Sequence, residues 1–171
     1  SLGERAIVAC MDAGVNKFLV ALGHREEEVR AHFEEVASRR GCKVDFATAE
    51  NWGHGNGASA LAAAPWVADA PFVLIMSDHL ISTPMVRAVL QTLLKPGEIC
   101  LAIDGAKEGI FDLEDATKVK LKDGRVTQLG KALESWDAGD TGVFRCTCAM
   151  FEGLRAAAER GRHGLTDGVN E

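Results

Sequence analysis

Near the start of the chain, Leu2, Ile7, Val8 and Met11 fall on one helical face, and Gly14 follows as a C-cap. The period then changes. "KFLVALG" is a short apolar run that predicts a buried strand over Phe18–Leu22, ended by Gly23. "REEEVRAHFEEVASRRG" returns to helical character, with acids early and an Arg pair at its end, as the helix dipole favours. Gly41 closes that helix and "KVDFAT" reads as the next strand. The glycine-rich "ENWGHGNGAS" is a loop, and "ASALAAAPW" a short helix stopped by Pro65. "FVLIMS" is a third strand, apolar throughout and therefore expected to be covered on both faces.

A helix from Pro84 to Leu94 and a strand from Glu98 to Ile103 continue the alternation. The texture then becomes that of a hairpin. Lys118–Leu121 and Arg125–Leu129 alternate around Asp123-Gly124, a dipeptide suited to a two-residue turn. A strand at "TGVFRC" and a helix at "AMFEGLRAAAERG" follow. Strand–helix alternation predicts an α/β fold with a mainly parallel sheet, helices on both faces and an antiparallel hairpin annex. No repeat, low-complexity segment or linker interrupts residues 1–171, so a single domain is expected.

Composition narrows the function classes. At 171 residues and 47% apolar content the chain is large enough for a sizeable core. A net charge of −6, with both signs interspersed, argues against a surface for nucleic acid or anionic membrane. The three tryptophans lack the spacing of a stacking platform. No apolar run reaches the roughly 18 residues of a membrane helix, and no secretory signal is visible, so no membrane insertion and a cytoplasmic location are expected. The five cysteines form no CxxC pair and read as reduced core residues. The chain starts without Met, within a helical pattern, and stops at Asn170-Glu171 without a closing signal. It is therefore expected to be truncated at both ends.

Two polar stretches interrupt the apolar pattern at strand ends, where open α/β sheets bind ligands. Ser77-Asp78-His79 ends the third strand, with a helix cap as the plain alternative for Asp78 and a packing role as the plain alternative for His79. "GHGNGAS" is neither GxGxxG nor a P-loop. Its glycines allow close backbone approach, Asn56 adds an amide able to read a base edge, and Ser59 suits a helix cap. An Asn-Gly turn explains that stretch equally well. Lys131, after the hairpin, reads as a solvated lysine, and Asp140-Thr141-Gly142, opening the last strand, as a turn.

Taken in order, "DAGVNKFLVALGHREEEVRAHF", "ENWGHGNGAS", "VLIMSDH", "DLEDATKVKLKDGRVTQLGK" and "DTGVF" resemble the sugar-phosphate nucleotidyltransferase family, and within it the inositol-1-phosphate cytidylyltransferases. The likeness runs from Glu4 to Phe151, and the order and spacing of the motifs carry it. It implies a three-layer Rossmann-like, GT-A-like domain. It also implies that Asn56, Gly57 and Ser59 meet the nucleoside, that Asp78 holds Mg²⁺, and that Lys131 meets the acceptor's phosphate. Asp140, Thr141 and Gly142 match the segment lining the acceptor pocket. The family's glycine-rich triphosphate loop and its later metal carboxylate have no match here, so this piece alone is expected to be inactive. Because the family's first strand belongs at the centre of the sheet, the piece is also expected to expose an apolar strand edge.

The implied reaction moves a nucleotidyl group from a nucleoside triphosphate, CTP, to a phosphorylated acceptor, inositol 1-phosphate, and releases pyrophosphate. A phosphate monoester is mostly dianionic at neutral pH, with its second pKa near ~6, so no protein base is needed. That suits a sequence without a His-Asp or Ser-His constellation. Two alternatives stay open: a hexose-1-phosphate enzyme using UTP, dTTP or GTP, and a non-catalytic regulator that binds a nucleotide sugar. A membrane alcohol phosphotransferase, fused or coupled, is the partner that the inositol branch implies.

Overall fold

Strand and helix alternate through the first part of the chain in the computed structural model, which describes residues 1–110 and 112–171. The helices are α1 (Leu2–Asp12), α2 (Glu26–Arg40), α3 (Asn56–Leu61), α4 (Ala64–Val67), α5 (Thr83–Gln91), α6 (Ala149–Glu159) and α7 (Leu165–Val169). The strands are β1 (Lys17–Leu22), β2 (Lys43–Thr48), β3 (Phe72–Ile75), β4 (Cys100–Asp104), β5 (Lys118–Lys122), β6 (Arg125–Gly130) and β7 (Ala138–Cys146).

β1 and β2 form a parallel pair in register from Lys17↔Lys43 to Leu22↔Thr48. The second sheet is organised by β7. One edge of β7 pairs with β4, and the other pairs with β3 at residues 143–146 and with β5 at residues 138–139. The α/β class and the three layers are as expected, but parallel pairing is narrower than the alternation implied. β3 and β4 run in the same direction, as a helical crossover requires, yet β7 lies antiparallel between them and takes the hydrogen bonds of both. Among the described residues, the second edges of β1 and β3 have no ladder partner, which agrees with the expected apolar edge.

Side-chain alternation sorts the core into layers. Val119, Ala138, Phe144 and Cys146 face Met150, Phe151 and Leu154 of α6 and Leu165 of α7. Across the sheet, Val143 packs with Val86 and Val89 of α5 and with Ala6, Ala9 and Cys10 of α1. Ile7 joins Phe33 and Val36 of α2 beside β1 and β2. Removing water from aliphatic side chains of this size stabilises by about 1.5–3 kcal/mol each. The five cysteines are free, and burial pushes the Cys10 thiol up to about 11 and the Cys146 thiol to about 12. That fits their reading as reduced core residues.

Several local expectations need correction. Pro65 does not stop a helix; it stands in the first turn of α4, where a missing N–H costs nothing. Ser59 lies inside α3, which begins at Asn56, and so caps nothing. β3 is half-buried along its whole length rather than covered on both faces, because one of its edges is open. β7 starts at Ala138, so Asp140-Thr141-Gly142 lies within the strand. Helix α7 had no apolar period long enough to announce it. The Asp123-Gly124 turn is as expected, with φ of 52° and 74°, the pattern of a type I′ hairpin.

Arg145 joins two of these layers. Its Nη1 donates to the carbonyls of Val89, Leu90 and Thr92 and so closes the C-terminus of α5. We expect Arg145→Met to lower unfolding stability in urea by about 1.5–3 kcal/mol, the usual worth of a charge-assisted hydrogen bond. An unchanged midpoint would mean that water satisfies those carbonyls.

Candidate active site

The chain leaves β3 with Met76, whose N–H donates to the Gly142 carbonyl at 2.9 Å, and then turns out of the sheet. Ser77-Asp78-His79 follows. His79 Nδ1 lies 2.8 Å from an Asp78 oxygen, and the imidazole rests over Gly142 of β7. Gly142 is there for two reasons: its φ is +72°, and a Cβ would come within 2.9 Å of Met76 Cβ and 3.0 Å of His79. The Asp78 side chain is 76% exposed, so the carboxylate that sequence singled out is held in place by His79 but remains open to solvent. A packing role for His79 thus holds in part, with a hydrogen bond to Asp78 added.

Asp140 is the second carboxylate at this spot. Its Oδ1 accepts from the Gly142 N–H at 2.7 Å, an Asx-type contact that shapes the turn in β7. Burial raises the Asp140 pKa, while the Gly142 hydrogen bond and the nearby His79 act the other way. Thr141 turns its hydroxyl to the Ala102 carbonyl at 2.7 Å and fixes β4 against the same turn. The structure therefore brings Asp78 and the Asp140–Gly142 segment together through His79.

Lys131 follows β6 and pairs with Asp115, whose carboxyl the lysine holds below the usual carboxylate range. Its side chain is 57% exposed. The Asp140 N–H donates to the Thr117 carbonyl at 2.9 Å, which links the lysine end of the hairpin to the Asp140 turn by backbone. Asp115 carried no signal of its own in the sequence, since one acid in "DLEDATKV" looks like another.

The "GHGNGAS" loop is tied elsewhere. Asn56 Oδ1 accepts from the Leu165 N–H at 2.7 Å, and the Gly57 N–H donates to the His163 carbonyl at 2.9 Å. A Cβ on Gly57 would meet that carbonyl at 2.7 Å and Leu154 at 2.8 Å, so packing alone requires this glycine. Among the described residues the Asn56 NH₂ has no hydrogen-bond partner, and Ser59 is half-buried within α3. Trp52, 46% exposed, tilts against His24 at the end of β1 with 5.4 Å between ring centroids. A groove of about 400 Å³ between α1 and residues 80–83 adjoins the segment after His79, but none of the expected site residues lines it. Among the described residues no cluster of three or more His, Cys, Asp or Glu is arranged to hold a metal.

No family model matches the chain. Relatives do. The "Bifunctional IPC transferase and DIPP synthase" of Rubrobacter xylanophilus is 33% identical over 92% of this chain and 34% of its own length. The protein of that name from Thermococcus kodakarensis is 32% identical over 86% of this chain and 32% of its own. The chain is similar to these bifunctional transferases along nearly its whole length. It spans about a third of the curated relatives it matches. Among solved structures, the inositol-1-phosphate CTP transferase of T. maritima superposes with a TM-score of 0.81 at 22% identity, over 99% of this chain and 66% of that one. A UDP-glucose pyrophosphorylase complexed with UDP-glucose gives 0.78 at 15%, over 99% of this chain and 73% of that one. Structures this distant in sequence establish the nucleotidyltransferase fold.

The half-buried Asp140 gives a pH prediction. A carboxyl whose folded pKa is raised binds its proton more tightly folded than unfolded, so stability is lost as pH rises through that range. Asp140→Asn keeps the Oδ1 contact without the charge. It should melt higher than the parent at pH 7, with the gap closing as pH falls below the carboxylate range. A gap that stays constant with pH would show that Asp140 is not held at a cost.

Proposed function

We propose that this chain is the part of a cytidylyltransferase that transfers CMP from CTP to inositol 1-phosphate, releasing pyrophosphate. The observation that carries the reading is the joining of Asp78, His79 and the Asp140–Gly142 turn, with Lys131 linked to that turn through Thr117. The names of the relatives and of the T. maritima structure support the choice of CTP and inositol phosphate.

A phosphate oxygen of the acceptor attacks the α-phosphorus of CTP; the new P–O bond forms as the bond to the pyrophosphate oxygen breaks. No proton has to be removed from a dianionic phosphate, so the protein's work is to bring two anions together and hold them in line. Lys131 holds the acceptor's phosphate, in exchange for its contact with Asp115. Asn56 presents its free NH₂ to the nucleoside, with Gly57 and Ser59 shaping the helix start beside it. Thr141 and Gly142 set the floor of the acceptor pocket, with Asp140 at its side.

Mg²⁺ suits the donor set. It binds through one or two carboxylates, keeps several waters and takes the rest from substrate phosphates. An exposed carboxylate at a strand end, oriented by one hydrogen bond, meets that demand without a full protein cage. Asp78 would hold the ion, which supplies charge neutralisation at the phosphates.

The bifunctional names of the relatives support a fused membrane alcohol phosphotransferase as the partner that consumes the product. Among the described residues no helix is long and apolar enough to cross a membrane, so this segment contributes no span of that kind. A cytoplasmic site fits the free cysteines.

The test is a substrate panel with the gene product that contains this chain. Turnover should be highest with CTP and inositol 1-phosphate. A clear preference for UTP or dTTP with glucose 1-phosphate would move it to the hexose branch, and nucleotide-sugar binding without turnover would make it a regulator. Lys131→Ala should impair acceptor use roughly 10- to 150-fold and leave CTP binding largely intact. Acceptor kinetics unchanged by the substitution would return Lys131 to the solvated surface.

A further inference from the structure

Among the described residues one charged side chain is buried, and it is not Lys131. Lys118, which opens β5, is 9% exposed. Directly across from it stand Gly139 of β7 on one side and Gly130 of β6 on the other. Residues opposite each other in an antiparallel pair share a face, so the lysine stem has no cross-strand side chain beside it. Its ammonium donates to the carbonyl of Lys131. Among the described residues no carboxylate lies within ion-pair distance of it, whereas Lys131 has Asp115.

A buried cation with three donors and a single carbonyl partner is an expensive arrangement, because the interior returns little of the hydration it gave up. A fold that needed only to support the Lys131 carbonyl would do so with a neutral donor. The position adds a second point. Residue 117 accepts the Asp140 N–H, residue 118 touches residue 131, and Lys131 follows Gly130 directly. Lys118 thus stands between the acceptor-lining turn of β7 and the lysine assigned to the acceptor.

We infer that Lys118 is a second phosphate-binding residue, which with Lys131 forms a two-ammonium seat for the phosphomonoester acceptor. The inference rests on the function proposed above and deepens it. A phosphate monoester brings three acceptor oxygens and nearly two negative charges, which matches two ammonium groups better than one. Lys131, exposed and paired with an exposed carboxylate, exchanges partners easily. Lys118, enclosed and without a carboxylate, is already in place.

The experiment compares the parent, Lys118→Met and Lys118→Arg by calorimetric titration with inositol 1-phosphate and, separately, with CTP and Mg²⁺, alongside thermal unfolding without ligand. Met fills similar space without charge. We expect Lys118→Met to weaken inositol 1-phosphate binding about tenfold or more, to leave CTP affinity unchanged, and to melt at the same temperature or higher. Lys118→Arg should recover part of the binding. If Lys118→Met binds the phosphomonoester as tightly as the parent, Lys118 only supports the Lys131 carbonyl and the inference falls. If Lys118→Met loses both stability and binding, recovered binding in Lys118→Arg supports the seat and its continued loss overturns it. A parent that binds neither inositol 1-phosphate nor glucose 1-phosphate refutes the proposed function itself, a result visible before any substitution.

Discussion

The backbone hydrogen bonds of β7 hold the second sheet together, and the site depends on the same ladder. One edge of the strand serves β4, while the other serves β3 and β5 in succession. The β4 register shifts between Leu101 and Ile103, and this irregularity lies beside Asp140–Gly142. A residue with positive φ in that stretch lets the strand bend without losing its pairing further on. The bend leaves room above Gly142 for His79, and through His79 it fixes Asp78. A larger side chain at position 142 would strain the backbone and displace the imidazole together.

Electrostatics follows from this frame. Asp78 and Asp140 lie around the bend of β7, and Lys118 and Lys131 lie where the hairpin meets the start of that strand. The Asp140–Thr117 hydrogen bond joins the two groups by backbone rather than by flexible side chains. Near a protein surface two unit charges about 4 Å apart interact by roughly 4 kcal/mol, so where lysines and carboxylates are fixed matters more than how many there are. Under the proposed function this separation has a use. The lysines would receive the acceptor's phosphate and Asp78 would hold the metal that serves the nucleotide, so that two anions could meet without a protein nucleophile.

Much of this was legible in the residues themselves. The switch from helical to strand periods located β1, β2, β3 and the hairpin, and Asp123-Gly124 specified its turn because few dipeptides accept two positive φ values. The residues alone drew attention to Asp78 at a strand end, while Lys131 and Asp140–Gly142 were singled out only by the resemblance that the order of the motifs carries. What stayed hidden depends on contacts distant in sequence. The antiparallel placement of β7 between β3 and β4 is decided by packing after the hairpin, and period alone does not report it. Gly57 looked like a ligand-facing glycine, while its tightest neighbours are His163 and Leu154. Asn56 likewise uses its oxygen to hold the start of α7, more than a hundred residues on. Lys118 sits in an alternating strand, where a lysine ordinarily faces water.

Under the proposed function Asp78 is exposed because a metal-bound nucleotide completes its surroundings; the cap of the next helix, α5, is Ser82 rather than Asp78. Asp78→Asn tests this in the gene product that contains the chain, with turnover measured across a Mg²⁺ series and thermal unfolding measured without metal. Asn keeps the size of Asp and its ability to accept from His79. Turnover should fall at least about 100-fold, since a metal supplies several kcal/mol of charge stabilisation in phosphoryl chemistry, with the melting temperature almost unchanged. Full turnover with the same Mg²⁺ optimum would contradict that role of Asp78.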